Sequence, residues 1–501
     1  MCKNFRFPLQ QIGLVLFCSM GVLANVNATP PTLYNDSTMM LNIPNAVERK
    51  PDGSVMVYSG DMTYIPGIDG YQLTHLEQQL NFSNKSVVDD GFDPAIAKQL
   101  DALLDKIVTT YNKPGAIIRV ERAGKVYRGV RGLARIETKR PLQYNDRWKV
   151  ASNTKPFVAQ VALQLVQEGK IKLDDFVAPL LPDLMANMPN KDKITLRHLL
   201  QHTNGIPNYV AVDAIQCSML HTPFRYWSVE EMLAIAADLA KKYPSTVEPG
   251  AEYHYSNSGI LLLGALVEKL SSMKLGDAIY QRLLNPLRLY STEYAYDPSI
   301  SFDYAHGYTD YPPCIDGGTK LPPPIVKSDG TSENVKGDGV LENATFLDPS
   351  PAGAAGAILS NAEDMGKWMR YYAEGKALDP TLFKEQNIFK PGYTAADGFG
   401  FTVDMGLSVM RINDRYLGHP GQINGYENMG VYDPQTDTTM LLMMNHYDLL
   451  ESFEQEVSAV MIFDIIPILD GTAGTTRADE NKRAFMATGC SMRSILENEC
   501  R

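Results

Sequence analysis

Apolar residues recur at helical spacing in several stretches of the chain, most clearly after residue 156. Phe157, Val158, Val161, Ala162, Leu165 and Val166 share one face until Glu168-Gly169 ends the pattern, which predicts a buried helix. A second helical pattern starts at Pro94 and runs through Ile96, Leu100, Leu103, Leu104 and Ile107 to Tyr111. Residues 260–270 are rich in Leu and predict another buried helix. Residues 194–205 read as a short helix, with Thr195 as its cap and Gly205 beyond its end. Ser360 or Asn361 is placed to cap a further helix, and residues 453–466 predict a closing one. Short apolar runs at 116–121 and 126–130 bracket Ala123-Gly124, a hairpin signal. Later runs at 400–403, 407–412, 429–432 and 439–444 predict strands. A helix, a hairpin and a second helix in succession imply an α/β domain whose strands adjoin in sequence.

The flanking regions differ in character. Lys3 and Arg6 precede an apolar run at 12–24, followed by the small-residue site Val26-Asn27-Ala28. This is the pattern of a secretory signal peptide cleaved after Ala28, with an apolar core too short for a comfortable membrane span. The bulky Phe17 argues against a lipoprotein site at Cys18. A secreted or periplasmic location is therefore expected, with no stable membrane span after cleavage. Residues 29–91 are mixed and rich in turn formers, with a strand-like piece at 54–58, and form an extension without a motif. Residues 301–345 carry many Pro, Gly and Asp and predict a long loop or small insertion. The tail, 471–501, is polar as far as Cys490 and is expected on the surface. The expected domain spans 92–470.

Composition narrows the function. With 501 residues, 44% hydrophobic and 21% charged, the chain is an ordinary globular protein. The net charge of −12, without a basic cluster, argues against nucleic-acid binding. Cleavage after Ala28 removes two basic residues, giving −12 − 2 = −14. Four cysteines would then remain, Cys217, Cys314, Cys490 and Cys500. They allow two disulfides in three connectivities, of which a local Cys490–Cys500 pair is the simplest. Their spacing matches no zinc site. His198 and His202 lie four apart, as in a helical metal pair, but without the glutamate of His-Glu-x-x-His. No metal or cofactor is expected, and the oligomeric state is left open.

The chemistry centres on Ser152 and Lys155, which share one face at the start of the predicted helix. A serine there meets the positive end of the helix dipole. Taken alone, the pair reads as a capping serine and a solvated lysine, and Ser271-Ser272-Met273-Lys274 repeats the pattern. A serine nucleophile needs a nearby base. No Gly-x-Ser-x-Gly elbow and no phosphate loop occur. Instead the chain carries Tyr255-Ser256-Asn257 before the helix at 260, and His419-Pro420-Gly421-Gln422 further on. Tyr426-Glu427-Asn428 is a second Tyr-x-Asn, set aside because it follows His419. Ser271 is set aside because it ends a helix, where the dipole opposes an alkoxide.

Ser-x-x-Lys, Tyr-x-Asn and His-x-Gly in that order resemble the serine β-lactamase and penicillin-binding family. The match is to its class C-like branch of D-alanyl-D-alanine carboxypeptidases and esterases. Residues 164–175, 194–207 (with Asn204 where a serine is usual) and 354–364 resemble further segments of that family, so the likeness covers roughly 92–470. The resemblance implies an antiparallel β-sheet flanked by helices, with a mainly helical region inserted between about 152 and 350. It implies that Ser152 forms an acyl-enzyme, that Lys155 takes or relays its proton, and that Tyr255 acts as general base and protonates the leaving group. Asn257 would bond Lys155 and the substrate amide, and the N–H groups of Ser152 and Gln422 would form the oxyanion hole. His419 would lie in the closing strand, and Gly421 would let that strand approach the substrate.

Two departures bear on substrate. His-Pro-Gly stands where antibiotic-destroying class C enzymes usually carry Lys-Thr-Gly, so a substrate carboxylate would be held more weakly. After Phe399-Gly400-Phe401 come Thr402-Val403-Asp404, with Arg411 and Arg415 beyond. An acid near Asp404 would disfavour anionic substrates. The expected substrate is a small molecule or peptide: first a D-amino-acid peptide cleaved by peptidase or amidase action, then an ester, then a β-lactam. From another class comes a catalytically silent protein binding peptidoglycan peptides or partners through the same cleft.

Overall fold

The computed structural model describes residues 86–211, 215–217, 219, 222–243, 247–300, 303–310, 314, 340–393, 401–448 and 455–474. It also describes short strands at Ala46–Arg49, Val55–Tyr58, Tyr71–Gln72, Ile325–Val326 and Ser332–Glu333. The expected signal peptide, most of the extension, and the tail with Cys490 and Cys500 lie outside the described residues.

One antiparallel sheet organises the chain. Its strands are β1 (Val87–Val88), β2 (Gly115–Arg122), β3 (Lys125–Arg135), β4 (Arg140–Pro141), β5 (Lys390–Tyr393), β6 (Val403–Met405), β7 (Met410–Ile412), β8 (Tyr416–Ile423), β9 (Tyr426–Asp433) and β10 (Thr438–Met444). They lie in the order β5-β6-β7-β8-β9-β10-β2-β3-β1, with β4 pairing off β3. The β2–β3 hairpin closes through Arg122 opposite Lys125. Ala123 and Gly124 both have positive φ, 49° and 72°, as a two-residue turn of matching twist requires. Because β1 joins this sheet, the folded domain starts before residue 92, inside the stretch expected to be extension. Tyr71–Gln72 likewise pairs with Val340 and Leu341.

Side chains alternate across the sheet and feed two cores. Met440, Leu442 and Met444 of β10 pack with Ala116, Ile118 and Val120 of β2 in one of them. This core also takes Leu100, Leu104 and Ile107 of α1 (Pro94–Thr109) and the closing helical segment. Leu441, Met443 and Ile117 face the opposite way, into a core with α2 (Thr154–Gln167), α3 (Asn257–Ser271) and α4 (Ala362–Ala373). A strand buried on both faces reads as an unbroken apolar run, which is why Met440-Leu441-Leu442-Met443-Met444 shows no alternation in sequence. The helices between 154 and 287 form the inserted region. A small sheet of Trp148–Lys149, Ile358–Ser360 and Glu293–Tyr294, with Ile358–Ser360 central, lies among them.

Local signals mark the helix starts. Asp93 accepts the Ala95 and Ile96 amides at 2.8 and 3.3 Å ahead of Pro94. Thr195 accepts the His198 amide, and His198 Nδ1 accepts the Thr195 amide in return. At the two-candidate cap it is Asn361 that accepts the Asp364 amide, at 2.9 Å. The closing strand expected around His419 is β8, formed although Gly418, Pro420 and Gly421 punctuate it. A Cβ on Gly418 would stand 2.0 Å from the Gly430 carbonyl oxygen. One expectation needs correction: the closing helix is not continuous, and Val457–Val460 passes through a π-helical turn, Met461–Ile465, into Ile466–Asp470.

A buried ion pair fixes the start of β9. Lys113 Nζ donates to Glu427 Oε1 at 2.9 Å, both side chains being wholly buried. Glu427 Oε2 accepts the Val457 amide at 2.8 Å, which ties the sheet to the closing helix. Removing one partner strands the other charge, so Lys113→Met should cost about 3–5 kcal/mol, read as a lowered urea midpoint. The double variant Lys113→Met/Glu427→Leu should recover much of that loss.

Candidate active site

Ser152 is held by a strained turn between two sheets. Strand Trp148–Lys149 leads through Val150 into a 3₁₀ turn, Ala151–Asn153, and only then into α2. Ala151 adopts φ 49°, a left-handed conformation that non-glycine residues rarely take. The Val150 amide donates to the Ile358 carbonyl at 2.9 Å, and the Ile358 amide donates to Thr154 Oγ1 at 3.0 Å. From the other side, Asn153 Nδ2 donates to Asn428 Oδ1 at 2.6 Å. Thus Tyr426-Glu427-Asn428, set aside in the sequence, buttresses the turn, with Tyr426 Oη donating to the Ala305 carbonyl.

Gly421 serves this turn directly. A Cβ there would stand 2.3 Å from the Val150 carbonyl oxygen. The close approach that requires glycine is to the backbone beside Ser152, where the sequence reading had it facing substrate.

Lys155 lies in the first turn of α2 and is wholly buried. Its Nζ donates to Ser152 Oγ at 2.8 Å and to the Ala355 carbonyl at 2.8 Å. It also stands 4.9 Å from the centre of the Tyr255 ring. Tyr255 precedes α3, whose cap Ser256 accepts the Gly259 amide. The Asn257 side chain donates to Asn208 Oδ1 at 3.2 Å, as does its backbone amide. The structure therefore brings Ser152, Lys155, Tyr255 and Asn257 together, from two stretches about 100 residues apart.

Two imidazoles complete the cluster. His202 stacks on the Tyr255 ring at 4.5 Å, and its Nδ1 accepts the Ser256 amide at 3.2 Å. It was considered in the sequence only as half of a metal pair. Its place in the segment resembling the family at 194–207 was the available sign that it belongs to the site. His419, on β8, lies 6.2 Å from Tyr255 and donates through Nδ1 to the Pro420 carbonyl. Burial, and next the Lys155 charge, push His419 down to about 3. The same two causes, burial first, hold His202 well below the ordinary imidazole range. Both rings are neutral at working pH, and His419 presents no cation to a substrate.

A cleft opens over Ser152, lined also by Tyr255, Asn257, Gln422, Asn424, Gln216, Lys149 and Asp348. Among the described residues, Gln422 Nε2 has no hydrogen-bond partner. Asp404 is not part of the lining. It is bound by Arg411, with Nη2–Oδ2 at 2.6 Å, so it sets no substrate charge as the sequence suggested. Arg415 is held by Asp433 and Asp470. Ser271 ends α3 and is followed by Ser272 at φ 55°, while Lys274 lies over Tyr296. Sequence reasoning also passed over Lys149, three residues before Ser152. Among the described residues, Cys217 and Cys314 form a disulfide with Cα atoms 5.9 Å apart.

Neutral buried histidines make stability depend on pH. The unfolded chain binds a proton at each below about 6.5, while the folded chain does not until about 3 for His419. Stability should therefore fall as pH drops through this window, by up to about 1.4 kcal/mol per pH unit for each ring. His419→Gln should flatten the dependence of Tm on pH between 4 and 6.5; an unchanged slope would refute the assignment.

Comparison with known proteins places this geometry. A sequence model described as Beta-lactamase matches residues 100–460. Penicillin-binding protein 4* of Bacillus subtilis is 28% identical over 220 residues, 42% of this chain and 45% of that protein. Esterase EstB of Burkholderia gladioli is 30% identical over 202 residues, 38% and 50% of the two chains. The chain spans about half the length of the curated relatives it matches. Among solved structures, D-amino acid amidase from Ochrobactrum anthropi SV3, complexed with L-phenylalanine amide, superposes with TM-score 0.60 at 21% identity, covering 75% of this chain and 99% of that one. D-stereospecific amidohydrolase from Streptomyces sp. superposes with TM-score 0.56 at 24% identity, covering 70% and 94%.

Proposed function

The chain belongs to the beta-lactamase family, and from that premise we propose that it is a serine hydrolase acting through an acyl ester on Ser152. The observation that carries this reading is the 2.8 Å contact between Lys155 Nζ and Ser152 Oγ at the base of the cleft. Tyr255, as a phenolate favoured beside the Lys155 ammonium, receives the serine proton as Oγ attacks the substrate carbonyl, and Lys155 stabilises the charge that develops on Oγ. The N–H groups of Ser152 and Gln422 stabilise the oxyanion, each such donor being worth about 3 kcal/mol. Tyr255 then protonates the leaving group, and water attacks the ester by the reverse route. His202 is a positioning residue that holds the Tyr255 ring by stacking. Gln422 Nε2, and the amide of Asn257 held by Asn208, are placed to meet substrate polar atoms.

The substrate class follows from the charges around the closing strand. His419 is neutral, and Arg411 and Arg415 are bound to aspartates, so this strand offers no cation to a terminal carboxylate. That favours amidase action on D-amino-acid derivatives that lack a terminal carboxylate over carboxypeptidase action, with carboxylesterase activity as the second reading and efficient β-lactam hydrolysis behind both. The Cys217–Cys314 disulfide supports the secreted or periplasmic location we propose.

Incubation with a fluorophosphonate and a fluorescent penicillin, followed by peptide mapping, should place an adduct on Ser152. Ser152→Ala should abolish it, and Tyr255→Phe should slow acylation by about 10²–10⁴-fold. Labelling by the fluorophosphonate alone would favour the esterase. An adduct elsewhere would overturn the mechanism, and none with either probe would point to a silent binding protein.

A further inference from the structure

Lys149 is a buried amine in the cleft wall that the proposed chemistry does not use. It lies on strand Trp148–Lys149, where it pairs with Leu359. Its side chain lines both the cleft over Ser152 and an adjoining pocket that includes Ser299, Ile300 and Pro349. Leu347, Gly356 and Ile423 line both spaces as well, so Lys149 stands where one passes into the other. An ammonium carries three donors. Among the described residues, the hydrogen bond of this one goes to the Leu347 carbonyl, at 3.1 Å.

We infer that Lys149 is a specificity-determining residue that receives an anionic group, a carboxylate, carried by the substrate. The inference rests on the hydrolase reading above and adds a substrate class to it. The cations that could do this work elsewhere are committed: Lys155 to Ser152 and Ala355, Arg411 to Asp404, Arg415 to Asp433 and Asp470. Among the described residues lining the cleft, Lys149 is the only lysine or arginine. Burial pushes its ammonium down to about 7, while the charge of nearby Asp348 pulls it back up. Asp348 itself accepts the Ser350 amide at 2.9 Å. A desolvated ammonium with donors to spare gains more from an anion than a solvated one does, because little water has to be removed. The substrate this describes has its carboxylate on the Lys149 side of the scissile carbonyl, away from the closing strand.

Two measurements separate this inference from the hydrolase reading. The first compares mono-p-nitrophenyl adipate with p-nitrophenyl hexanoate, esters of equal chain length that differ in charge. Lys149→Met should lower the adipate-to-hexanoate ratio of kcat/KM by about tenfold, the effect of one lost charge-assisted hydrogen bond. Lys149→Arg should restore part of it, and thermal melting checks that each variant folds. The second measures binding of monomethyl adipate and methyl hexanoate to the Ser152→Ala chain by calorimetry. Tighter binding of the adipate, lost in the Ser152→Ala/Lys149→Met double variant, supports the inference even where wild-type turnover is absent. That absence would count against the hydrolase reading alone. Equal binding of the two ligands, or a ratio unmoved by Lys149→Met, would overturn the role of Lys149.

Discussion

The burial of the Lys155 ammonium against the Ser152 hydroxyl and the Ala355 carbonyl is the contact on which the rest of the site depends. A charge taken out of water needs fixed polar partners, and those partners must be held in place by backbone. Ala355 comes from a segment 200 residues further along the chain. Ser152 is held by a turn that β8 and β9 clamp through Gly421 and Asn428. The sheet, the inserted helices and the strand Ile358–Ser360 therefore converge on one amine. The strained φ of Ala151 persists because all of them press on the same turn.

The buried charge also explains the chemistry of its neighbours. His202 and His419 lie within its field and out of water, and both effects favour the neutral ring. His419 thus fills the position of the closing strand without supplying a charge. Electrostatics inside the site is arranged around a single cation, with an aromatic ring and two neutral imidazoles as its surroundings. The cleft wall outside that cluster carries Lys149, where we place a substrate anion.

Much of this was legible in the residues. Helices α1 and α2 announced themselves by apolar spacing, and the short helix Leu196–Leu200 by its cap Thr195, because these are local interactions. The β2–β3 hairpin followed from Ala123-Gly124, a turn that needs two positive φ angles. Ser152, Lys155 and Tyr255 were picked out by the order of short motifs, and that order distinguished them from the decoys at Ser271 and Tyr426. Strand β8 carried no local strand pattern and was expected only through the resemblance; Gly418 and Gly421 are glycines because neighbouring backbone comes too close for a side chain.

By itself the sequence determined the local elements and the family the motifs resemble, since a serine and a lysine three residues apart are set by covalent spacing. Only the tertiary structure decided which polar groups share the cleft. Asp404 looked poised to set substrate charge, but its partner Arg411 across the sheet removes it from that role. Lys149 carried no signal and His202 only its place in the family-like segment, because their importance lies in what burial does to them: a lysine lining a cleft and a histidine stacked on Tyr255. Desolvation and partner choice are properties of packing, and packing joins residues hundreds of positions apart that no local pattern connects.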